Sequence, residues 1–475
     1  MAANNIPTVL IVFGATGDLM SRKIGPSLFH LYRRGKLPAM FRVVGVARRP
    51  LSHEAFRALL VDSLSSHREF KAGSPTANQF LERCFYQQGG FGEDETYTQL
   101  SATLGRVDGD WNVCSNKLFY LAVPPMHYET IFRHLSSSGL TIPCGPDEGW
   151  TRVLVEKPFG HDAETAAQLD QLLSTLFREE QIYRIDHYLA KEMLQNILSF
   201  RFSNNLLEQS WNGRHIEKIT VRLLEKDGVE SRGAFYDKIG ALRDVGQNHL
   251  LQMMAFVMMD QPEAFSAEAV RAKRAKILEE LIRPTEKDIR ANTFRAAYDG
   301  YRDVEGVLPN SKTETYFRVR AYVDNPQWKG VPILLEAGKN MKRQIKEIVV
   351  TFKHTSPCLC PPNVKKHLKN RVIFALEPKE KIAIHFMAKK PGLDMEIEPR
   401  KIEFSYRSGR KHQYVAEYEK LLLDCIEGNQ LLFVNTQEVQ AMWKFVDPIV
   451  CAWGSDVVPL KSYAPHAHMK LKQDD

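Results

Sequence analysis

The stretch that most constrains the fold is an apolar run, Thr8 to Phe13, that leads directly into Gly14-Ala15-Thr16-Gly17-Asp18-Leu19. A buried strand, a tight glycine turn and a helix in this order are typical of dinucleotide-binding folds. The glycines let the backbone approach a pyrophosphate, which the free N–H groups and dipole of a helix N-terminus favour. We therefore predict a dinucleotide over residues 14–19. The spacing departs from the usual GxGxxG, so an ordinary α/β turn is the alternative, and we expect Asp18 to accept hydrogen bonds from its own loop.

A second β-rich run, Phe41 to Ala47, ends in Arg48-Arg49. An NAD site favours an acidic residue here, where it binds the ribose hydroxyls, whereas an arginine suits the 2′-phosphate of NADP. Arg48 thus predicts NADP as the cofactor. A solvated strand end is the other interpretation of the same residues.

Two further strands predict the rest of this edge of the sheet. Leu118 to Val123 stops at Pro124, and Arg152 to Val155 runs into Glu156-Lys157-Pro158. Ligands of open α/β sheets bind at the carboxyl ends of the strands. We therefore assign Tyr120, Pro124 and Lys157 to the cofactor side of the site.

The densest group of ionisable side chains is Arg184-Ile185-Asp186-His187-Tyr188-Leu189-Ala190-Lys191-Glu192. Its pattern predicts a strand from Gln181 to Tyr188 that continues as a helix from Ala190. His187 and Lys191 share one face if the turn is helical, and with the Tyr188 hydroxyl they could converge on a phosphate dianion. Asp186 is then free for another role. A charge-rich, solvated strand end is the alternative.

A long apolar helix is predicted over Leu242 to Met254, with Asp244 and His249 inside it. A histidine in such a helix is usually a hydrogen-bonded core residue. Five residues correspond to roughly 140° on an ideal α-helix, so Asp244 and His249 would share a pocket only with a ligand at the helix start. The residues alone leave that question open.

Composition excludes several classes of function. The 475 residues carry a net charge of +7, and their charges are interspersed, which argues against nucleic acid as a partner and favours small anions. Seven scattered cysteines argue against a disulfide framework and a zinc site, so we expect a cytoplasmic protein without a metal. We find neither a targeting signal nor an apolar run that could span a bilayer, so no membrane partner is expected.

Together these segments resemble the glucose-6-phosphate dehydrogenase family. The residues that carry the resemblance, in the family's order and spacing, are Gly14 to Leu19, Arg48, Glu156 to Gly160, Arg184 to Leu189, Arg243 to Val245, Gln247 to Met253, and Gly338-Lys339. The resemblance implies a Rossmann-like NADP-binding domain in residues 1–185 and an α+β domain with a large, mainly antiparallel sheet in 186–475. It implies homodimers formed through that sheet, alone or as dimers of dimers. The implied reaction is NADP-dependent oxidation of glucose 6-phosphate at C1 to the lactone, the first step of the oxidative pentose phosphate pathway.

The resemblance also implies roles for individual residues. His249 matches the base and Asp186 the carboxylate that orients it. The 6-phosphate cradle matches His187, Tyr188 and Lys191. Groups that hold the sugar hydroxyls match Lys157, Glu225, Asp244 and Lys339, and Lys23 matches a lysine near both ligands.

Three departures from the family pattern matter. Ala190 replaces a usual glycine. The family commonly has a second basic residue five positions after Lys339, where this chain has Gln344, with Arg343 and Lys346 beside it. Some members bind a second, structural NADP through arginines, but Glu336 and Val349 stand at two of those positions, so we predict no structural nucleotide.

The remaining chain is less informative. Residues 52–105 read as helical and polar, and Pro459 to Asp475 as a mobile tail. Two helices, Tyr414 to Cys425 and Thr436 to Trp453, are predicted to close the second domain. Its predicted strands are Tyr316 to Val323, Val331 to Leu335, Glu347 to Phe352, Val372 to Leu376 and Ile382 to Met387.

Two alternative functions are kept. A glucose–fructose or inositol-type oxidoreductase also joins a nucleotide domain to an open sheet, but it would not need the His187 and Lys191 phosphate pair. A non-catalytic sugar-phosphate sensor on the same scaffold would require loss of the base or of its orienting carboxylate.

Overall fold

Two sheets organise the protein. The computed structural model describes residues 7–145, 149–205, 207–354, 369–394, 396–405 and 415–469. The first sheet has seven strands and the second has nine. This arrangement confirms the predicted combination of a Rossmann-like sheet and a large, mainly antiparallel sheet.

The first sheet contains six parallel strands in the order β3-β2-β1-β4-β5-β6. This is the strand order of a dinucleotide-binding fold, and the order reverses direction between β1 and β4. The short strand Phe433–Val434 pairs antiparallel with β6 at the edge. The parallel strands are β1 (Thr8–Phe13), β2 (Phe41–Ala47), β3 (Cys84–Gln88), β4 (Asn116–Leu121), β5 (Thr151–Glu156) and β6 (Ile182–Ile185).

The first strand of the second sheet in chain order, β7, lies near the centre of that sheet. Six of its neighbouring pairs are antiparallel, and two, β10 with β7 and Leu460–Tyr463 with β8, are parallel. Its order is β14-β13-β12-β11-β7-β10-β9-β8, followed by Leu460–Tyr463. The strands are β7 (Ile216–Leu224), β8 (Thr293–Tyr298), β9 (Tyr316–Ala321), β10 (Ile333–Gly338), β11 (Ile345–Phe352), β12 (Arg371–Glu377), β13 (Lys381–Lys389) and β14 (Ile397–Ser405).

Helices cover both sheets and carry much of the site. Among the described residues, no helix combines the length and the apolar character needed to cross a membrane. Two segments, Met20–Ile24 and Leu242–Leu250, are π-helical. The α-helices are Gly25–Arg33, His53–Leu64, Pro75–Glu82, Asp94–Trp111, Tyr128–Ser137, Ala163–Leu176, Glu192–Phe202, Gly233–Tyr236, Leu251–Met258, Ala267–Glu279, Glu286–Asn292, Glu417–Glu427 and Thr436–Gly454.

The predicted mobile tail is wrong for the part that the structure describes. Leu460–Tyr463 is a strand beside β8, and Tyr463 is buried. Its hydroxyl donates to the Lys339 carbonyl at 2.6 Å and lies 2.9 Å from the Thr315 hydroxyl. A strand of four residues is too short for its alternation to be recognised in the sequence, so long-range pairing decides its structure. Residues 470–475 lie outside the described part.

Two other expectations need correction. The segment 52–105 is not wholly helical, because it contains β3, whose Cys84 and Tyr86 are buried against the sheet. The structure also brings the sulfurs of Cys114 and Cys144 into disulfide contact, a pairing that the scattered cysteine spacing did not indicate.

Candidate active site

The glycine turn after β1 packs tightly against the chain that follows β4. Gly14 has φ +84°, and a Cβ on it would lie 2.3 Å from the Ala122 carbonyl oxygen, so only glycine fits. The Gly17 N–H donates to the Gly14 carbonyl at 2.9 Å and closes the turn. Ala15, Thr16 and Leu19 complete the loop, and a π-helical turn at Met20–Ile24 precedes the first α-helix. The turn leads into the N-terminus of the helical segment that starts at Met20, and such an N-terminus suits a pyrophosphate.

Charged residues flank this turn. Arg48 follows β2 and is exposed, and its guanidinium makes no ion pair among the residues that the structure describes. It is therefore available to an anionic group. Asp18 is also exposed, and within the described ranges no loop N–H donates to its carboxylate, contrary to our expectation. Lys23 is exposed on the following turn and lines a cavity of about 870 Å³ together with Glu417.

Tyr120 lies beneath the site and not in it. Its side chain is fully buried, and its hydroxyl donates to Glu156 at 2.6 Å. The Tyr418 hydroxyl donates to the same carboxylate oxygen at 3.1 Å. The expected direct contact of Tyr120 with the cofactor does not fit this burial, and the residue supports the strand end that carries Lys157. Pro124 lies three residues after β4, at the start of the short turn Pro125–His127, and its neighbours Ala122 and Val123 are the residues that lie against Gly14.

A buried histidine–carboxylate pair forms the centre of the site. His249 Nδ1 lies 2.5 Å from Asp186 Oδ1, and both side chains are about 1% exposed. Asp186 follows β6 directly, and its Oδ1 also accepts the Tyr188 N–H at 3.0 Å. His249 Nε2 lies 2.9 Å from Lys157 Nζ. An ammonium can only donate, so Nε2 is the acceptor and the ring proton is on Nδ1, directed at Asp186.

A π-helical backbone explains how Asp244 and His249 come together. Our estimate of their separation assumed α-helical geometry, but Leu242–Leu250 is π-helical, with bonds between residues five apart. Residues with this spacing then lie nearly one above the other. Lys157 Nζ donates to the Asp244 carbonyl at 2.9 Å and lies 3.7 Å from its carboxylate. Such segments are frequent at functional sites.

Aromatic rings separate the two ends of the site. The Tyr188 ring stacks on His249 with centroids 4.0 Å apart, and His187 meets the His249 ring edge-on at 4.9 Å. On the other side, Lys191 Nζ and Lys346 Nζ lie 5.3 Å and 5.4 Å from the Tyr188 centroid. Tyr188 therefore lies between His249 and a pair of lysines.

The pair of lysines meets two carboxylates, and Lys191, Glu377 and Glu417 line a cavity of about 810 Å³. Lys191 Nζ lies 2.9 Å from Glu417 and 3.2 Å from Glu377, and Lys346 Nζ lies 3.0 Å from Glu377. Lys191 is the N-cap of Glu192–Phe202, so the helix starts later than predicted, and turns rather than a shared helical face bring His187 and Lys191 to the site. The sequence pointed to Lys346 only as a basic neighbour of Gln344, and it did not identify Glu377 or Glu417, because no local motif connects them to Lys191.

The third group of charges lies on the β10 side. Lys339 Nζ donates to Glu225 at 2.7 Å, and Lys346 Nζ lies 4.0 Å from the same carboxylate. Gln344, which stands where the family commonly has a basic residue, is neutral, and its amide donates to Glu377 at 2.7 Å. Ala190 is buried without a positive φ, so the turn accepts alanine in place of glycine. The peptide bond between Lys157 and Pro158 is cis, which the sequence could not indicate.

Burial and charge set the protonation of the pair. Burial lowers the pKa of His249 well below the ordinary histidine value, and the Lys157 ammonium lowers it further. Burial and the neighbouring positive charges do the same to the pKa of His187. Burial raises the pKa of Asp186, while the charges of His187 and Lys157 oppose that rise. His249 is therefore neutral and free to accept a proton.

Potential metal-ligand atoms of Asp186, His187 and His249 lie within 4.8 Å of one another. The Lys157 ammonium, 2.9 Å from His249, opposes a divalent cation at this position. The lysines beside Tyr188 add to that repulsion. The cluster is better suited to transferring a proton than to holding a metal.

Comparisons with known proteins agree over the whole chain. Family models for glucose-6-phosphate dehydrogenase match residues 11–196 (NAD binding domain) and 198–474 (C-terminal domain). Glucose-6-phosphate 1-dehydrogenase of Chlamydia muridarum is 38% identical over 94% of this chain and 90% of the relative. The Bacillus subtilis protein of the same name is 35% identical over 100% and 98%.

Solved structures give the same result. A glucose-6-phosphate dehydrogenase in complex with glucose 6-phosphate has a TM-score of 0.90 at 32% identity and covers 98% of this chain and 96% of that one. The Mycobacterium avium glucose-6-phosphate 1-dehydrogenase has a TM-score of 0.82 at 28% identity, covering 97% and 94%. A levoglucosan dehydrogenase in complex with NADH shares the fold alone, with a TM-score of 0.51 at 11% identity over 95% of this chain and 98% of that one.

Proposed function

This chain belongs to the glucose-6-phosphate dehydrogenase family and is a glucose-6-phosphate 1-dehydrogenase, and we propose that its catalytic step runs on His249 and Asp186. The reaction is the first step of the pentose phosphate pathway. The observation that carries the proposal is the buried bond between His249 Nδ1 and Asp186, with Nε2 left as acceptor.

The proton path follows from that geometry. The C1 hydroxyl of glucose 6-phosphate takes the place of the Lys157 ammonium at His249 Nε2, and Lys157 keeps its bonds to Asp244. His249 accepts the hydroxyl proton, and Asp186 stabilises the imidazolium that forms. A nicotinamide cofactor, held at the Gly14 turn, would supply the acceptor for the hydride of C1. We place the sugar hydroxyls among Lys157, Asp244, Glu225 and Lys339, with Lys23 at the rim.

We place the 6-phosphate on the far side of Tyr188, at Lys191 with His187. Lys346 supplies the second basic group that Gln344 does not, because its ammonium lies in the same cluster of charges. Remote phosphate binding can position C1, so its loss affects turnover as well as affinity.

Lys191→Ala is expected to lower kcat/KM for glucose 6-phosphate by about ten- to a hundredfold, the range for losing a charge-assisted bond. The slow oxidation of unphosphorylated glucose should barely change. Steady-state kinetics with both sugars make the measurement. Lys226→Ala, which removes an exposed lysine from the same cavity, is the matched control and should have a smaller effect. Equal losses with both sugars would place Lys191 in another role.

The first sheet is an NAD(P)-binding domain, and we propose NADP as the cofactor. Arg48→Ala is expected to weaken the binding of NADP by about ten- to a hundredfold and to leave the binding of NAD nearly unchanged, because only NADP offers a 2′-phosphate. KM for the two cofactors is the measurement. Arg133→Ala removes an exposed arginine paired with Glu129 and serves as control. Equal weakening of both cofactors contradicts the assignment.

Tyr463→Phe is expected to raise KM for glucose 6-phosphate by about two- to tenfold, because the hydroxyl holds the Lys339 backbone through a hydrogen bond of about 0.5–1.5 kcal/mol. Kinetics and thermal unfolding should be measured together. Tyr322→Phe is the control, since its hydroxyl makes no hydrogen bond within the described ranges. A lower Tm with unchanged KM would leave Tyr463 with a structural role only.

The oligomeric state and the absence of a second nucleotide are also proposals. Ile402 and Phe404 on β14 are 63% and 58% exposed, which supports a homodimer through the second sheet, with a dimer of dimers as the alternative. Sedimentation velocity separates these states. Glu336 is buried and bonded to Tyr316 and Arg222, so its position offers nothing to a structural nucleotide. We also propose a cytoplasmic location.

One assay tests the function as a whole: reduction of NADP or NAD with a panel of free and phosphorylated sugars. We expect reduction with glucose 6-phosphate and little with free glucose. Preferred oxidation of free sugars would favour a glucose–fructose or inositol-type enzyme, and tight binding without reduction would favour a sensor.

A further inference from the structure

At the proposed phosphate end of the site, carboxylates of the protein already neutralise the positive charges of the lysines. Lys191 and Lys346, both about 12% exposed, bond to two carboxylates, Glu377 and Glu417. Glu377 receives both lysines and the Gln344 amide. Glu417 stands in the first turn of Glu417–Glu427, where a negative charge is favoured. We call these four residues the charge cluster.

The carboxylates are ionised. Burial raises the pKa of a carboxyl, but bonds from Lys346 and Gln344 bring the pKa of Glu377 below its ordinary value. The charge of Lys191 does the same for Glu417. Burial lowers the pKa of Lys191, but Glu417 and Glu377 more than offset this and keep it charged. Two negative charges therefore face two positive ones.

We propose that Glu377 and Glu417 compete with phosphate for Lys191, so that a phosphate group must displace them before it can bind. This rests on the proposed placement of the 6-phosphate at Lys191. A free anion such as inorganic phosphate gains little, because each bond it makes replaces one that the protein already has. A phosphate attached to a sugar is also held at the other end, by the groups around Lys157 and Lys339. The binding free energy of the sugar offsets the cost of displacing the carboxylates. The cluster thus keeps simple anions from occupying the site at concentrations where a sugar phosphate, which is also held at its other end, still binds.

If the carboxylates helped phosphate to bind, neutralising one of them would change the phosphate affinity in the opposite direction. If the carboxylates only aimed Lys191 at the phosphate, neutralising one of them would leave the ammonium less ordered, and phosphate would bind more weakly. If they compete with phosphate, neutralising one should strengthen binding, because a carboxamide keeps the shape without the charge.

The test is direct titration of inorganic phosphate, and its inhibition constant against glucose 6-phosphate, in Glu417→Gln. We expect phosphate to bind about three- to thirtyfold more tightly than to the wild type, the range for removing a partly buried competing charge. Glu377→Gln provides a second variant and should act in the same direction. Glu192→Gln is the matched control, because Glu192 lines the same cavity but pairs with no lysine among the described residues.

Unchanged or weaker phosphate binding in both Glu417→Gln and Glu377→Gln overturns the proposal. Lys191→Ala separates this failure from a failure of the proposed site. If Lys191→Ala leaves phosphate binding unchanged, the 6-phosphate is not bound there and the placement itself fails. If Lys191→Ala weakens phosphate binding while the glutamine variants do not strengthen it, only the competition is excluded.

Discussion

His249→Asn is expected to lower kcat by roughly 10²–10⁴-fold, the range for losing a general base. Asparagine can still hydrogen-bond the C1 hydroxyl, so glucose 6-phosphate binding should stay near that of the wild type. The proton, however, loses its acceptor at this position, because an asparagine amide does not take up a proton and the neighbouring Lys157 ammonium can only donate. Steady-state kinetics and direct titration of glucose 6-phosphate make the measurement.

The pH profile separates loss of a base from structural damage. Burial and Lys157 hold the pKa of His249 well below the ordinary histidine value, so the base stays deprotonated, and wild-type activity should fall only when the pH drops below that range. In His249→Asn this acidic fall should disappear from the residual activity. A collapse of substrate binding in the variant, or an unchanged acidic limb, would remove His249 from the proton transfer.

The first sheet was predictable because its signals are local. Four of its parallel strands, β1, β2, β4 and β5, carry an apolar run that is closely followed by a glycine, proline or charged residue, and the fold places those ends at one edge. Gly14 is the clearest case, since its positive φ and the nearby Ala122 carbonyl both demand glycine. β3 was missed because its five residues mix glutamines with an apolar face and follow two helices.

The proposed catalytic pair, His249 and Asp186, could be named from the family pattern, but its geometry could not. The π-helical turn at Leu242–Leu250 has no sequence signal that distinguishes it from an α-helix, and it decides where Asp244 and His249 lie. The Lys157 contact to His249, which fixes the tautomer, joins residues 92 positions apart.

Acidic partners of the lysines were missed for the same physical reason. Glu377 ends a strand of the second sheet and Glu417 begins a helix, 186 and 226 residues from Lys191. A motif shows which side chains can bind a phosphate. It does not show which carboxylates pair with those side chains when no phosphate is bound. That information comes only from long-range packing.

Asp186→Asn is expected to lower kcat by a similar order, roughly 10²–10⁴-fold, with little change in substrate affinity. The amide oxygen can still accept from Tyr188, but it carries no charge to stabilise the imidazolium. Asp186 Oδ2 is buried without a hydrogen-bond partner in the described structure, so an amide nitrogen there would lack an acceptor and cost about 1–3 kcal/mol of stability. Thermal unfolding is therefore measured beside the kinetics, to separate the two effects.

The double variant decides whether the two residues act as one unit. Once His249 no longer takes the proton, Asp186 has no imidazolium to stabilise, so its replacement should cost little more. We expect kcat of the His249→Asn, Asp186→Asn double variant to lie close to that of the less active of the two single variants. Losses that multiply would mean that Asp186 contributes independently of His249, for example through the Tyr188 backbone, and would remove the pair from the mechanism. The 2.5 Å contact between two side chains that are both about 1% exposed is the physical reason to expect coupling.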